Sequence, residues 1–226
     1  MWAVVTIPER EALADALIAR LPPPVLKVLD TARDLQQNHI RAWREACAAF
    51  DGDWVGVIQE DAILCDDFDR KVRNRLAGAD RLGYRAVSLF NARKSSPYLR
   101  QVHARWAQID LGRMWEIPAA DGSGKTIKPA LPGELCVLIR RDLAAGYPEF
   151  ARRHRELYAS FPGLHDALLG LFLNSRLNGC EIGEITANHI YVAIPNLADH
   201  RLDVPSSLGH LDDPIRTSGT WSPAAE

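Results

Sequence analysis

The chain has little of what marks a stapled, secreted or membrane-embedded protein. Its 226 residues include only four cysteines, Cys47, Cys65, Cys136 and Cys180, and no C-x-x-C pair, which excludes a zinc ribbon or a dense disulfide framework. Reduced, mostly buried thiols are expected. The opening Met1-Trp2-Ala3-Val4-Val5-Thr6 lacks the basic segment and long apolar core of a secretory leader. The longest apolar stretch, near 164–173, is broken by His165 and Asp166 and falls short of the ~20 residues that cross a bilayer. A cytoplasmic location without membrane insertion is therefore expected. Charge of one sign is also scarce in excess: 27 Lys and Arg against 29 Asp and Glu leave a net −2, so the surface as a whole is no sheath for a polyanion. The histidines lack zincin spacing and no serine sits in a G-x-S-x-G elbow, which leaves hydrolase chemistry without a foothold. Asp121-Gly122-Ser123-Gly124-Lys125-Thr126 imitates the end of a phosphate loop, but Ala119 stands where its first glycine belongs and no buried strand precedes it.

What is present is the composition of a folded protein, 47% hydrophobic and 25% charged, at a length that suits one domain. Short apolar runs at 2–6, 25–29, 54–58, 85–90, 134–139 and 190–194 read as strands, with one or two more within 106–117. Helical periodicity fills 9–21, 66–76, 141–159 and 164–177, and a further helix carries Ile40, Trp43, Cys47 and Phe50 on its buried face. Thr6-Ile7-Pro8-Glu9 has capping-box spacing where the first strand meets the first helix. This alternation predicts an α/β fold, a Rossmann-type mixed, mostly parallel sheet flanked by helices. A single catalytic domain is expected over 1–210, divided near the loop at 118–132 into halves 1–117 and 118–210. An irregular polar segment follows Pro195, and 211–226 reads as a tail.

The strongest chemical signal is the inner strand 54–58 running into Gln59-Glu60-Asp61-Ala62. In open α/β sheets ligands sit beyond the carboxyl ends of the strands, and carboxylates there meet a ligand's phosphates through a hard cation. The alternative is an acidic turn or helix cap. Basic residues gather between Arg70 and Arg113 and again at Arg140, Arg141, Arg152, Arg153 and Arg155, with Tyr98, Trp106 and Trp115 interleaved. That pattern suits either a solvated helix face or an anionic polymer bound through stacking and charge.

Val5-Thr6-Ile7-Pro8-Glu9-Arg10, the helix with Asn38, His39 and Trp43, the strand end Val57-Ile58-Gln59-Glu60-Asp61-Ala62, Pro195-Asn196-Leu197-Ala198-Asp199-His200 and Ser206-Ser207-Leu208-Gly209 together resemble a GT-A glycosyltransferase. The nearest likeness is to glycosyltransferase family 25, across roughly residues 2–209. Where that family's strand ends in Glu-Asp-Asp-Ala, this one reads Gln59-Glu60-Asp61-Ala62, an amide in place of the first carboxylate. The resemblance implies an inverting hexosyltransferase with a nucleotide-diphosphate sugar, a UDP-sugar, held by Thr6, Pro8, Arg10, Asp30, Gln59, Glu60 and Asp61. It implies Mn²⁺ or Mg²⁺ on Asp61 and His200, with Arg10, Lys27, Arg93 and Lys94 as the cations available should the metal be dispensable. Asp166, opening the apolar helix, is the implied catalytic base, and Gly133, Glu134 and His165 the acceptor side. The acceptor is either a glycan such as lipopolysaccharide, or a hydroxylated DNA base as in bacteriophage DNA glucosyltransferases. The reading of a different class is a non-catalytic nucleotide-sugar or carbohydrate-binding module in which Gln59 marks lost metal chemistry.

Overall fold

A computed structural model describes residues 1–113, 117–118, 126–128, 131, 135–154, 165–201 and 203, with backbone alone for 93–95, 117–118, 126–127, 165–166 and 183. The strands are β1 (Trp2–Thr6), β2 (Val25–Leu29), β3 (Trp54–Gln59), β4 (Ala62–Leu64), β5 (Ala86–Ser88), β6 (Leu99–His103), β7 (Trp106–Ile109), β8 (Ile117–Pro118), β9 (Thr126–Ile127), β10 (Cys136–Arg140), β11 (Ile190–Ala193) and β12 (Ala198–His200). The helices are α1 (Glu11–Ile18), α2 (Leu35–Ala49), α3 (Phe68–Arg81), α4 (Arg141–Ala144), α5 (Tyr147–His154) and α6 (His165–Asn178).

Eight of these strands form one mixed sheet in the order β2-β1-β3-β10-β5-β11-β7-β6. Strands β2, β1, β3, β5, β11 and β6 point one way, while β10 and β7 run against them. The architecture is thus the expected α/β class. Strand β1 is buried at every residue, as a strand covered on both faces must be. Its side chains alternate between two cores. Trp2 and Val4 join Ile58, with Ala14 and Leu17 of α1 and Phe68 and Val72 of α3. Ala3 and Val5 join Val55 and Val57 with residues of α2, α5 and α6 on the opposite face. Strand β10 enters between β3 and β5, so residues on both sides of 118–132 share one sheet, and within that stretch, expected to be a loop, β9 pairs antiparallel with β8.

Several local expectations change. Thr6 caps no helix: its hydroxyl donates to the Ile7 carbonyl at 3.2 Å, and the chain first makes a 3-10 turn over Pro8–Arg10 before α1 begins. The buried face of α2 centres on His39, Ala42, Trp43 and Ala46, leaving Ile40 and Cys47 half-buried, because the helix packs against β1, β2, β3 and α5 rather than along one apolar row. Asp34 supplies its amino-terminal cap, accepting from the Gln37 amide at 3.0 Å. Of the four thiols, Cys65 and Cys136 are buried and Cys47 and Cys180 half-covered. The segment after Pro195, expected to be irregular, contains β12, which pairs antiparallel with β4. Its three residues are too few to show a period of two, and the partner lies far away in sequence.

Gly56 sits opposite Trp2 in the β1–β3 register, and a Cβ there would lie 2.5 Å from two carbons of the indole. The ring cannot yield, since Trp2 is 1% exposed and packs against Phe68 at 5.6 Å between centroids. Gly56→Ala is therefore expected to destabilise the fold by about 1–3 kcal/mol, the usual range for overpacking. Urea denaturation checks this; an unchanged midpoint would mean that the indole has room to move.

Candidate functional site

The carboxyl ends of β1, β2, β3 and β5 all open on one edge of the sheet. From β1 the chain passes through α1 to β2 on one side, whereas β3, on the other side of β1, leads through α3 to β5. The connections diverge between β1 and β3, the kind of switch point at which open α/β sheets form a crevice. The Glu60 amide extends this pairing, donating to the Val5 carbonyl at 3.2 Å, and the Gln59 amide donates to the Leu135 carbonyl at 3.0 Å. Residues 59–61 are thereby fixed against the loop that carries Arg10.

Two polar pairs occupy this edge. Arg10 donates through Nη1 to Glu60 Oε1 at 2.8 Å, with side chains only 11% and 10% exposed. Burial raises the Glu60 carboxyl above its ordinary 4.5, the neighbouring Asp61 charge raises it further, and Arg10 opposes both. Beside it, His200 Nδ1 lies 3.3 Å from Asp61 Oδ2. The strap that carries His200 is locked in place. β12 pairs with β4 with His200 opposite Ala62, the Arg201 amide donates to the Asp61 carbonyl at 2.9 Å, and the Phe90 ring meets the His200 imidazole edge-on at 5.0 Å. A contact across 139 positions of sequence thus rests on strand pairing at both partners.

Among the described residues Asp61 and His200 form a pair whose donor atoms suit a divalent cation. Two donor atoms 3.3 Å apart are spaced much as neighbouring ligands on one octahedral ion are, and Mg²⁺ in particular takes one or two protein ligands plus water and substrate phosphates. Among the described residues no group of three or more His, Cys, Asp or Glu gathers as a closed metal cage. Glu60 is engaged by Arg10, and the amide of Gln59 brings no charge.

The other expected residues distribute unevenly. Thr6 is buried at the end of β1, its carbonyl accepting from the Asp30 amide at 2.7 Å, and Pro8 is exposed in the 3-10 turn. The buried Asp30 carboxylate accepts from the Ala32 and Asp34 amides through Oδ1, holding the turn into α2. Gln59 is half-buried. Lys27 lies within β2 and is taken up by Glu11 and Asp15 at 2.7 and 2.8 Å, away from the strand ends. The backbone of His165 and Asp166 opens α6, but their side chains, like those of Arg93 and Lys94, lie outside the described structure, as do Gly133 and Glu134 entirely. Phe90 and Arg201 went unnoticed in the sequence, since neither a single phenylalanine at a strand end nor one arginine in a polar segment carries a signal without the β4–β12 pairing. A cleft of about 500 Å³, lined by Phe150, Arg153, His154, Arg176 and Glu181 among others, lies between the ends of α5 and α6, away from these pairs. No helix among the described residues is long and apolar enough to cross a membrane.

No family model and no curated protein matches the sequence. Among solved structures the chain is similar to the protein A197 from STIV, at 11% identity over 88% of this chain and 84% of that one, with a TM-score of 0.44. It is also similar to mannose-1-phosphate geranyltransferase from Thermus thermophilus, at 16% identity over 87% and 60% of the two chains and a TM-score of 0.40. A third likeness is to CMP:2-keto-3-deoxy-manno-octonic acid synthetase complexed with CTP, at 15% identity over 86% and 73% and a TM-score of 0.40.

Removing Arg10 leaves Glu60 buried without its cation. Arg10→Met is expected to cost roughly 3–5 kcal/mol at neutral pH, the range for one half of a buried ion pair. A carboxyl whose folded pKa lies above its unfolded value binds more protons in the folded state, so stability falls as pH rises from 4.5 toward the raised value. Without Arg10 that fall steepens. The gap between variant and native urea midpoints should therefore be smaller near pH 4.5 than at pH 7.5, and a gap independent of pH would contradict the assignment.

Proposed function

We propose that the chain is a glycosyltransferase of GT-A type that moves a sugar from a nucleotide-diphosphate donor, a UDP-sugar, to a hydroxyl acceptor. The single observation that carries this reading is the convergence of Glu60–Arg10 and Asp61–His200 at the β1/β3 switch point, on the edge where such sheets bind nucleotides. Cleaving the donor develops negative charge on the departing diphosphate, and fixed positive charge beside it lowers the barrier because nothing need reorganise. A divalent cation on Asp61 and His200 would supply such charge when bound. The Arg10 guanidinium, held by Glu60, keeps a second positive group at the end of β1. Glu60, tied to Arg10, orients that group instead of serving as a metal ligand. Asp166, at the first turn of α6, is the proposed general base, taking the proton of the acceptor hydroxyl as oxygen attacks the anomeric carbon.

One observation favours a second reading, that of a non-catalytic binding module. The position that most needs a carboxylate is Gln59, and Glu60 is engaged by Arg10, so the motif carries less free negative charge than its sequence suggests. Release of free nucleotide from a nucleotide sugar on incubation with Mn²⁺ separates the two, since a module turns nothing over.

Thermal unfolding with UDP-glucose, UDP-galactose, GDP-mannose or UDP, each with and without Mn²⁺, tests the donor. A ligand at a hundred times its Kd adds about 2.7 kcal/mol, roughly 5–10 °C for a chain of this size. Asp61→Asn is expected to remove the Mn²⁺-dependent part of the shift and leave the fold intact; an undiminished Mn²⁺ response would place the ion elsewhere. Asp166→Asn should keep the donor-induced shift and lose transfer to glycan or hydroxylated-DNA acceptors, and near-native transfer would exclude it as the base.

A further inference from the structure

Arg75 belongs to α3, a helix whose exposed face carries Arg70 and Arg73, yet it is itself 5% exposed. Its Nη2 reaches across 119 positions of sequence to donate to the carbonyl of Ile194 at 3.1 Å. Ile194 opens the strap 194–201, whose other end carries His200. Between those ends the strap is tied by the pairing of β12 with β4 and by hydrogen bonds to residues 65, 89 and 91. Asn196 Nδ2 donates to the Asn91 carbonyl at 3.2 Å, the Leu197 and Ala198 amides both donate to the Leu89 carbonyl, and the Leu197 carbonyl accepts from the Cys65 amide at 3.1 Å. The strap closes where the Arg201 amide meets the Asp61 carbonyl.

We infer that Arg75 is a positioning residue for the candidate site: by gripping the Ile194 carbonyl from α3 it anchors the near end of the strap whose far end pairs with β4, and so helps aim the His200 imidazole at Asp61. The functional meaning rests on the transferase reading, but the coupling of Arg75 to His200 does not. A buried guanidinium is a costly way merely to close a loop, because apolar side chains of similar volume usually do as well or better. Its long arm and planar array of donors instead fix a carbonyl in both distance and direction, which an apolar contact cannot do. Burial, with the nearby Arg105 charge, brings its pKa down to about 10, so it remains a cation at neutral pH.

Long-range ¹H–¹⁵N spectra of the histidine rings test this, with His200 assigned by His200→Gln. In Arg75→Met, which keeps the volume and loses the donors, the His200 ring nitrogens are expected to shift toward those of a solvent-exposed imidazole. The signals of the half-buried His189 and the buried His39 should stay in place, and Arg75→Lys should return His200 part of the way. Unmoved His200 signals in Arg75→Met would overturn the inference. So would a collective shift of all the histidines with loss of native circular dichroism, since the side chain would then serve the fold as a whole. Adding Mn²⁺ and UDP to the native chain and looking for paramagnetic broadening of His200 addresses the transferase reading separately: no broadening counts against the metal site and leaves the Arg75 result standing.

Discussion

The parallel pairing of β1 with β3 is the constraint on which the site depends. Val5 lies opposite Gln59, and the Glu60 amide adds one more rung through the Val5 carbonyl. That rung sets Glu60 and Asp61 beside the turn that brings back Arg10. A slip of one residue would reverse which face each side chain points to, sending the indole of Trp2 away from its core and breaking the approach of Arg10 to Glu60. Gly56 enforces the register from within, because the Trp2 ring fills the space a side chain would need. Core packing and the geometry of the acidic pair are therefore one constraint.

The electrostatics of the edge follow from that geometry. Glu60 and Asp61 are neighbours in a poorly solvated place, and two adjacent carboxylates there would repel strongly. The fold answers with a different partner for each: a guanidinium for Glu60 from the β1 loop, an imidazole for Asp61 from the β12 strap. The result is a site in which each carboxylate has its own partner and the two are not left facing only each other.

Much of this was legible in the sequence for physical reasons. Buried strands such as 2–6 and 54–58 read as continuous apolar runs, and the acidic motif at the end of β3 stood out because carboxylates directly after such a run are unusual. The Asp61–His200 neighbourhood was anticipated only through family resemblance. β12 has three residues, its pairing spans more than a hundred positions, and nothing local signals it. Arg75 was invisible for a related reason. Among the arginines of α3 it has the same chemistry as its exposed neighbours, and only the helix's orientation on the sheet turns it inward. Lys27 erred the other way, reading as a phosphate cation although α1 presents two carboxylates to it.

The central claim is that the edge between β1 and β3 receives a nucleotide diphosphate. Amide hydrogen exchange with and without UDP-sugar and Mn²⁺ tests it most directly. Added protection is expected over residues 5–11, 59–62 and 197–201, with the α5–α6 cleft unchanged. Protection confined to that cleft, around His154 and Glu181, with the β1 and β3 ends exchanging as before, would contradict it.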